Sequence, residues 1–263
     1  MAEASFQFID SCNKSRALFA KYCSEPLPKD PYAKLRWEMA GVHAFMTDAF
    51  QNIYQLADKI PPSEEQEFAF FCYCATQSLE HHHHLEETHI FPKLAPEYKT
   101  DVIDEHAAFS EGLHEFDSYL LAVMGAEKGE KCGQAISIPS KFKEPYNGTK
   151  IKQLLESFAA PLFTHLQHEI GWLDPEILRE SGLPLSRLAE IDKLIEEHIK
   201  NELDGPSALV FGLYHVPPYC QAPDLPWFVR KVLVPYVLYW KHRKSWRWFP
   251  DYSKQPFGPI LSH

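Results

Sequence analysis

The chain has 263 residues, of which 45% are hydrophobic and 14% aromatic, so it can bury a large core and does not have the composition of a disordered protein. Its 26 basic and 36 acidic side chains give a formal charge of -10, which disfavours a nucleic-acid partner. The first residues lack a signal-peptide pattern and the six cysteines have no regular spacing, so we expect a cytoplasmic protein with reduced thiols.

The apolar residues recur with helical spacing, and no run alternates convincingly at period two, so we predict an all-α fold. The first long helix is expected from about residue 31 to 58, with His43 on its apolar stripe. The second is expected from about 63 to 88, with Ser63 as its N-cap and a stop at Ile90-Phe91-Pro92.

A third helix is predicted to begin at residue 100 or 101, to carry His106 on one face, and to end before Gly125. Residues 125–148 are rich in Gly, Lys, Ser, Pro and Asn, which predicts an irregular connection. The fourth helix, about 149–173, is expected to bury His165 and to kink at Pro161.

The predicted domain organisation has three parts. Residues 1–30 form an N-terminal segment without an assigned element, and residues 31–176 form the helical bundle. Residues 177–263 form an extension that packs on the bundle, made of an amphipathic helix at about 185–203 and an aromatic-rich tail.

The tail has three interpretations: a layer that packs on the bundle, a substrate pocket or lid, or an oligomer contact. We expect the protein to be a monomer or a homodimer. Its most hydrophobic stretch, residues 225–240, is interrupted by Arg230, Lys231 and Pro235 and is shorter than about 18 apolar residues. We therefore predict no membrane span and expect no membrane partner.

Four consecutive histidines, residues 81–84, are followed by Glu86 and Glu87 inside the second predicted helix. Residues four apart on a helix lie on one face, so His82 with Glu86 and His83 with Glu87 can each hold a metal ion. An expression tag is the alternative, but tags lie at termini and do not run into an apolar Ile-Phe-Pro sequence.

Each of the four predicted helices places at least one histidine on its core-facing stripe. A single buried histidine is usually a hydrogen-bonded core residue, and a structural bundle with incidental histidines is the alternative interpretation. Four helices with the same feature indicate a metal site between them, because up-and-down bundles house paired metals between facing helices.

These residues resemble the hemerythrin family, in its broad HHE cation-binding branch. The motifs are His43-x-x-Met46 on the first helix and His82-His83-x-x-Glu86-Glu87-x-x-Ile90-Phe91-Pro92 on the second. The third and fourth helices contribute Glu105-His106-x-x-Phe109 and His165-x-x-x-Glu169, and together the motifs span roughly residues 31–173.

The resemblance implies an up-and-down four-helix bundle that binds two iron ions, or manganese in their place, together with dioxygen. The implied ligands are Glu86 and Glu169 as bridges and four terminal imidazoles: His43, His82, His106 and His165. His83, Glu87 and His89 are additional candidates, either as ligands or as partners of ligand imidazoles. No catalytic residue is predicted beyond these ligands.

The chain departs from the oxygen carriers of that family at Val102. The carriers resemble H-x-x-x-H on the third helix, and with His106 as the second histidine the first position is Val102. Either His83 replaces the missing imidazole, or one metal has a more open coordination sphere of the kind that oxygen activation needs.

We therefore expect a non-haem di-iron oxidoreductase that uses dioxygen on a small-molecule substrate. The alternative is a protein that binds oxygen or iron for sensing or storage without turnover. A zinc hydrolase is a weaker alternative, because zinc sites usually have four ligands and a carboxylate-bridged pair suits iron or manganese better.

Overall fold

The computed structural model describes residues 2–94, 102–138 and 143–252, and of residues 102–104 it describes the backbone alone. The described part is mostly helical, as predicted. The first four helices are α1 (Ala2–Cys23), α2 (Pro31–Leu56), α3 (Glu65–Leu85) and α4 (Phe91–Leu94). The next five are α5 (Val102–Met124), α6 (Gly148–Trp172), α7 (Pro175–Glu180), α8 (Leu185–Glu202) and α9 (Gly205–His215).

Short elements complete this list. Turns of 3-10 helix cover Ala57–Lys59, Pro62–Glu64, Tyr239–His242 and Ser245–Trp248, and π-helical segments cover Glu86–Ile90 and Val229–Leu238. Strands β1 (Ala126–Lys128) and β2 (Ala135–Ser137) pair antiparallel, with Glu127 opposite Ile136. The connection predicted as irregular therefore contains a small hairpin.

Local capping explains where several helices begin. The Asp30 side chain accepts a hydrogen bond from the backbone N–H of Tyr32, and Pro31 occupies the first turn of α2. Asn147 caps α6 in the same way by accepting from the N–H of Lys150. The predicted Ser63 cap is wrong: Ser63 lies in the preceding 3-10 turn, and Glu64 precedes α3 without a side-chain capping bond.

The predicted stop at Ile90-Phe91-Pro92 is also wrong, because the helix widens into the π-helical turn Glu86–Ile90 and continues as α4. Pro92 lacks an N–H and therefore cannot donate a helical hydrogen bond. It lies two residues after the π turn, where the regular pattern of helical hydrogen bonds is already interrupted. By contrast, α5 ends as predicted at Gly125, whose φ of 60° is the left-handed conformation that glycine adopts readily.

Four long helices surround the central core, with α2 and α5 each contacting both α3 and α6. Their inward faces are apolar and rich in phenylalanine. Fully buried rings of this core include Phe50, Phe68, Phe71, Phe109, Phe116, Phe158 and Phe163. Phe50, Phe71, Phe109 and Phe158 lie seven, eleven, three and seven residues from His43, His82, His106 and His165, respectively, so each shares a helix face with a predicted metal ligand.

Helix α1 is a part of this core that the sequence analysis missed. It packs on α2 and α6 and buries Phe8, Cys12, Phe19 and Cys23, which recur at the spacing of one helical face. Arg16 of α1 is buried beside Asp48 of α2, with 2.8 Å between Nε and Oδ1. Burial raises the pKa of Asp48 to about 6, although Arg16 opposes the shift.

The C-terminal extension packs on the same bundle, where α9 contacts α2 and α3, α8 contacts α2 and α4, and the N–H of Gln221 donates to the carbonyl oxygen of Cys23 in α1. Trp248 lies against Phe68 and Trp246 against Phe70. Cys72 and Cys74 are buried among the aromatic side chains of α3, and all six cysteines are free thiols. No helix in the described residues is long and apolar enough to cross a membrane.

Replacing Phe19 tests whether α1 belongs to the core. Phe19→Ala removes a fully buried ring, and we expect the free energy of unfolding to fall by about 3–5 kcal/mol. The matched control is Phe6→Ala on the same helix, where the ring is 72% exposed and the expected change is within about 0.5 kcal/mol. Urea unfolding of the metal-free protein measures both, and equal effects would show that α1 is not docked.

Candidate metal centre

The predicted ligands come together in the middle of the four long helices. They are supplied by α2, the end of α3 with its π-helical turn, α5 and α6. Two groups form, in each of which the ligand atoms all lie within 4.8 Å of one another. The first group is His83, Glu86, His106 and His165, and the second is His43, His82, Glu86 and Glu169.

Glu86 belongs to both groups because of its position on the helix. It is four residues after His82 and three after His83, and both spacings place side chains on neighbouring positions of a helix face. Consecutive histidines point about 100° apart, so each enters a different group. One carboxylate therefore stands between two sets of imidazoles.

Glu169 gives the groups a second link. Its Oε2 lies 3.2 Å from Nε2 of His43 in the second group and 3.6 Å from Nε2 of His165 in the first. Glu86 and Glu169 are both fully buried. Two carboxylates thus lie between five imidazoles in the core of the protein.

Hydrogen bonds orient three of the imidazoles so that Nε2 faces the centre. His43 Nδ1 donates to the carbonyl oxygen of Leu166 at 3.0 Å, and His106 Nδ1 donates to Oε1 of Glu87. His165 Nδ1 lies 3.2 Å from Oε2 of Glu105, which also accepts from His168. Such contacts fix the tautomer of ligand histidines and leave Nε2 with a free lone pair.

The inward-facing Nε2 atoms are suited to bind metal ions, because they carry no proton and cannot hydrogen-bond to one another. Nε2 of His106 lies 3.0 Å from Nε2 of His165, and with both Nδ1 atoms protonated these are two lone pairs facing each other. Among the described residues, no backbone N–H or hydroxyl group donates to the oxygens of Glu86 or Glu169, which instead face Nε2 of His82 at 2.9 Å and Nε2 of His43 at 3.2 Å. Buried acceptors without donors are costly, and cations placed among them remove that cost.

The electrostatics of the metal-free site lead to the same conclusion. Burial, followed by the charge of Glu169, raises the pKa of Glu86 above its ordinary value. Burial and the neighbouring imidazoles lower the pKa of His82 and His83 well below the usual range, and the pKa of His165 to about 4. These histidines are therefore neutral at physiological pH, which is the form that binds metal.

Aromatic rings close the centre on two sides. Phe109 of α5 lies 5.1 Å from the ring of His83 and 5.6 Å from that of His165, measured between ring centroids. Phe19 of α1 contacts the edge of His43 at 5.4 Å. The sequence analysis did not assign a role to Phe19, although its place on the buried stripe of α1 was a usable signal.

The remaining histidines of the run lie outside the two groups. His81 stacks on His198 of α8 with 4.5 Å between the ring centroids, while His84 is exposed at 6.2 Å from the same ring. His89 also turns towards His198, at 5.2 Å. The candidate role of His89 as a ligand assumed regular α-helical spacing from His82, and the wider π turn changes that spacing.

The first helical position of α5 is Val102, whose side chain lies outside the described part. His83 is one of the three imidazoles of the first group. The sequence analysis had named it as a candidate for either an additional ligand or a partner of a ligand imidazole. Glu87 was expected as a possible hydrogen-bond partner of a ligand imidazole, and its carboxylate contacts Nδ1 of His106. Glu105 makes the corresponding contact with Nδ1 of His165.

Comparison with protein families gives a match to the hemerythrin HHE cation binding domain over residues 36–177, more than half of the chain. The chain belongs to this family. The resemblance seen in the motifs is thereby confirmed, and the family description assigns cation binding to the part of the chain that contains both groups.

A curated relative is a dimeric xanthone biosynthesis cluster protein R11 from Cryptosporiopsis sp. (strain 8999). It is 26% identical to this chain over 231 residues, which cover 82% of this chain and 78% of the relative. The similarity therefore extends beyond the HHE domain at one end or both. No solved structure gives a significant match.

Adjacent histidines allow a sharp test of the two groups. His83→Ala removes an imidazole from the first group, and we expect metal content to fall from about two ions per chain towards one. His84→Ala changes an exposed neighbour of the same type and should leave the content unchanged. Elemental analysis after reconstitution and gel filtration measures both, and the same loss in the two variants would contradict this placement.

Glu87→Ala tests the orienting contacts. Loss of the carboxylate that accepts from His106 Nδ1 should weaken metal binding by about 10–100-fold while the ligand set stays complete. The control is Glu127→Ala, an exposed carboxylate on β1. Competition with a chromophoric chelator gives the dissociation constants, and an unchanged constant for Glu87→Ala would show that this hydrogen bond does not support the site.

Proposed function

We propose that this protein is a hemerythrin-like non-haem di-iron protein that binds dioxygen and oxidises a small molecule. In this proposal α2, α3, α5 and α6 form an up-and-down four-helix bundle around two iron ions. The observation that carries the proposal is that two ligand groups share Glu86 and are linked again by Glu169. A single metal would not need two carboxylates placed between two sets of imidazoles.

The ligand assignment follows from the groups. His83, His106 and His165 would hold one ion and His43 and His82 the other, with Glu86 shared by both groups and Glu169 a member of the second group that also lies 3.6 Å from His165. Histidine nitrogen and carboxylate oxygen together suit iron, with manganese as the alternative, and the absence of thiolate from both groups disfavours the closed structural sites of zinc. Iron, when bound, supplies the electrons that reduce dioxygen.

The two ions have unequal protein ligands in this arrangement. One receives three imidazoles and the other receives two, besides the shared carboxylates. Each group contains four ligand residues, so neither ion would be saturated by protein ligands, and an open position is what the binding of dioxygen or substrate at a metal requires. The surrounding rings of Phe19 and Phe109 limit the access of water to the centre.

The relative's printed name places it in a biosynthesis cluster, which supports a biosynthetic role on a small molecule for the present chain. Its similarity covers more than the HHE domain, including the region of the extension or the N-terminal helix. We propose that the present chain acts in the cytoplasm on a small organic substrate, as a monomer or a homodimer.

A second candidate function is oxygen or iron binding without turnover. The observation that favours it is His83, which restores a fifth imidazole to a centre that the sequence at Val102 leaves one histidine short. A more saturated ligand set suits reversible binding. The two candidates share the same site and differ in whether dioxygen is consumed.

Anaerobic reconstitution with ferrous iron followed by addition of dioxygen tests both candidates. We expect about two irons per chain, a new absorption in the visible or near-ultraviolet region, and consumption of dioxygen. A signal that disappears when dioxygen is removed favours the binding protein. Protein that holds no iron after reconstitution contradicts the di-iron proposal altogether.

The variant for this experiment is Glu169→Ala, which removes the carboxylate that reaches both groups. We expect loss of the absorption signal and at most one bound iron. His84→Ala is the control and should keep both. An unchanged spectrum in Glu169→Ala would show that this glutamate is not a bridge.

A further inference from the structure

Exposed hydrophobic side chains are concentrated in one short part of the C-terminal extension. Ten large hydrophobic side chains are exposed in the described residues, and five of them fall between residues 227 and 240. These five are Trp227 (70% exposed), Phe228 (56%), Tyr236 (72%), Val237 (58%) and Trp240 (57%). Single exposed hydrophobic residues are ordinary, whereas a cluster of large rings indicates a contact surface.

The segment is well packed on its other side, so the exposure is not the result of an undocked chain. Val234 is buried, and Val229 and Leu238 pack against the core. The segment contacts α9 along this inner face. The segment is thus packed against the protein on one side, while the rings listed above are exposed to solvent.

The same segment is strongly basic in an acidic protein. Residues 225–250 contain six lysines and arginines and no acidic residue, whereas the whole chain has a formal charge of -10. Lys241 pairs with Asp204, and Arg247 pairs with Glu64. The other four, Arg230, Lys231, Arg243 and Lys244, are exposed and form no ion pair within the described residues.

A small pocket lies at the edge of the exposed rings. It has a volume of about 210 Å³ and lies between α9 and the π-helical segment Val229–Leu238. Its lining includes Arg230, Lys231 and Tyr214. Two cations and a phenol hydroxyl at an open pocket provide the charge and the hydrogen-bond donor that a phosphate group binds.

The combination of features favours a lipid surface over other partners. Tryptophan and tyrosine are the residues that settle at the headgroup level of a bilayer, and nearby lysines and arginines are attracted to anionic lipids. A second copy of the chain is disfavoured, because a two-fold symmetric contact would place this basic surface against itself. A single-stranded nucleic acid would contact the cations through its phosphates and the rings through its bases, but it would leave the exposed Val237 without a partner.

We propose that Trp227, Phe228, Tyr236, Val237 and Trp240, with Arg230, Lys231, Arg243 and Lys244, form an aromatic-basic surface that binds the face of an anionic phospholipid bilayer. The rings insert at the level of the headgroups while the cations contact lipid phosphates. No helix of the described residues is long and apolar enough to cross the bilayer. This interpretation replaces the expectation of no membrane partner, which considered only a spanning helix. It does not depend on the metal centre.

The test is sedimentation of the full-length protein with sucrose-loaded vesicles. We expect binding to vesicles of equimolar phosphatidylcholine and phosphatidylserine, weaker binding at high ionic strength, and little binding to phosphatidylcholine alone. Trp227→Ala with Trp240→Ala should reduce the vesicle partition coefficient by about tenfold or more. Arg230→Gln with Lys231→Gln should reduce it by about fivefold for each cation removed.

Matched variants elsewhere on the surface provide the controls. Phe6→Ala with Leu185→Ala removes two equally exposed hydrophobic side chains, and Lys193→Gln with Lys200→Gln removes two exposed cations of α8. Both pairs should bind vesicles as the unsubstituted protein does. Circular dichroism and thermal unfolding establish that every variant is folded.

Several results would overturn the proposal. One is the absence of binding to anionic vesicles at low ionic strength, and another is equal loss of binding in the test and control variants. Concentration-dependent dimerisation in sedimentation velocity that is lost in Trp227→Ala with Trp240→Ala, without vesicle binding, would assign the surface to a second copy. Binding of a single-stranded oligonucleotide without vesicle binding would assign it to nucleic acid.

Discussion

The constraint on which the rest of the structure depends is the burial of two carboxylates and five imidazoles in the middle of an apolar core. Glu86 and Glu169 are fully buried, and among the described residues their oxygens face imidazole nitrogens and receive no backbone N–H or hydroxyl group. A buried, unpaired acceptor costs free energy, and two adjacent carboxylates add mutual repulsion. A metal ion bound between the two carboxylates would offset both costs, and its binding free energy would add to the stability of the fold.

The local structure around the centre brings these ligands together. His82 and His83 lie in the last turn of α3, and Glu86 is the first residue of the π turn Glu86–Ile90, so all three ligand residues lie where the regular helix gives way to the π turn. π-helical turns inside longer helices are frequent at functional sites. The turn also places Glu87 where it accepts from His106, while it moves His89 towards α8 and away from the metals.

The elements outside the four long helices have separate tasks. Helix α1 covers one side of the centre and brings Phe19 against His43, which keeps that ligand in an apolar environment. The extension covers α2 and α3 and carries the exposed rings between residues 227 and 240 on its outer side. The HHE domain thus contains both ligand groups, and the additions cover its sides with apolar side chains.

The sequence by itself determined the helical class, the approximate limits of the four long helices and the set of residues that meet, because all of these depend on periodicity along one element. His43, His82, Glu86, His106, His165 and Glu169 were each identified from spacing of three or four residues and from motif order. Tertiary structure decided what depends on contacts between elements: that His83 joins the first group while His84 does not, that His89 faces His198, and that α1 docks beside His43. One-dimensional spacing gives the face of a helix, but which neighbour that face meets, and where a π turn shifts it, is set by packing.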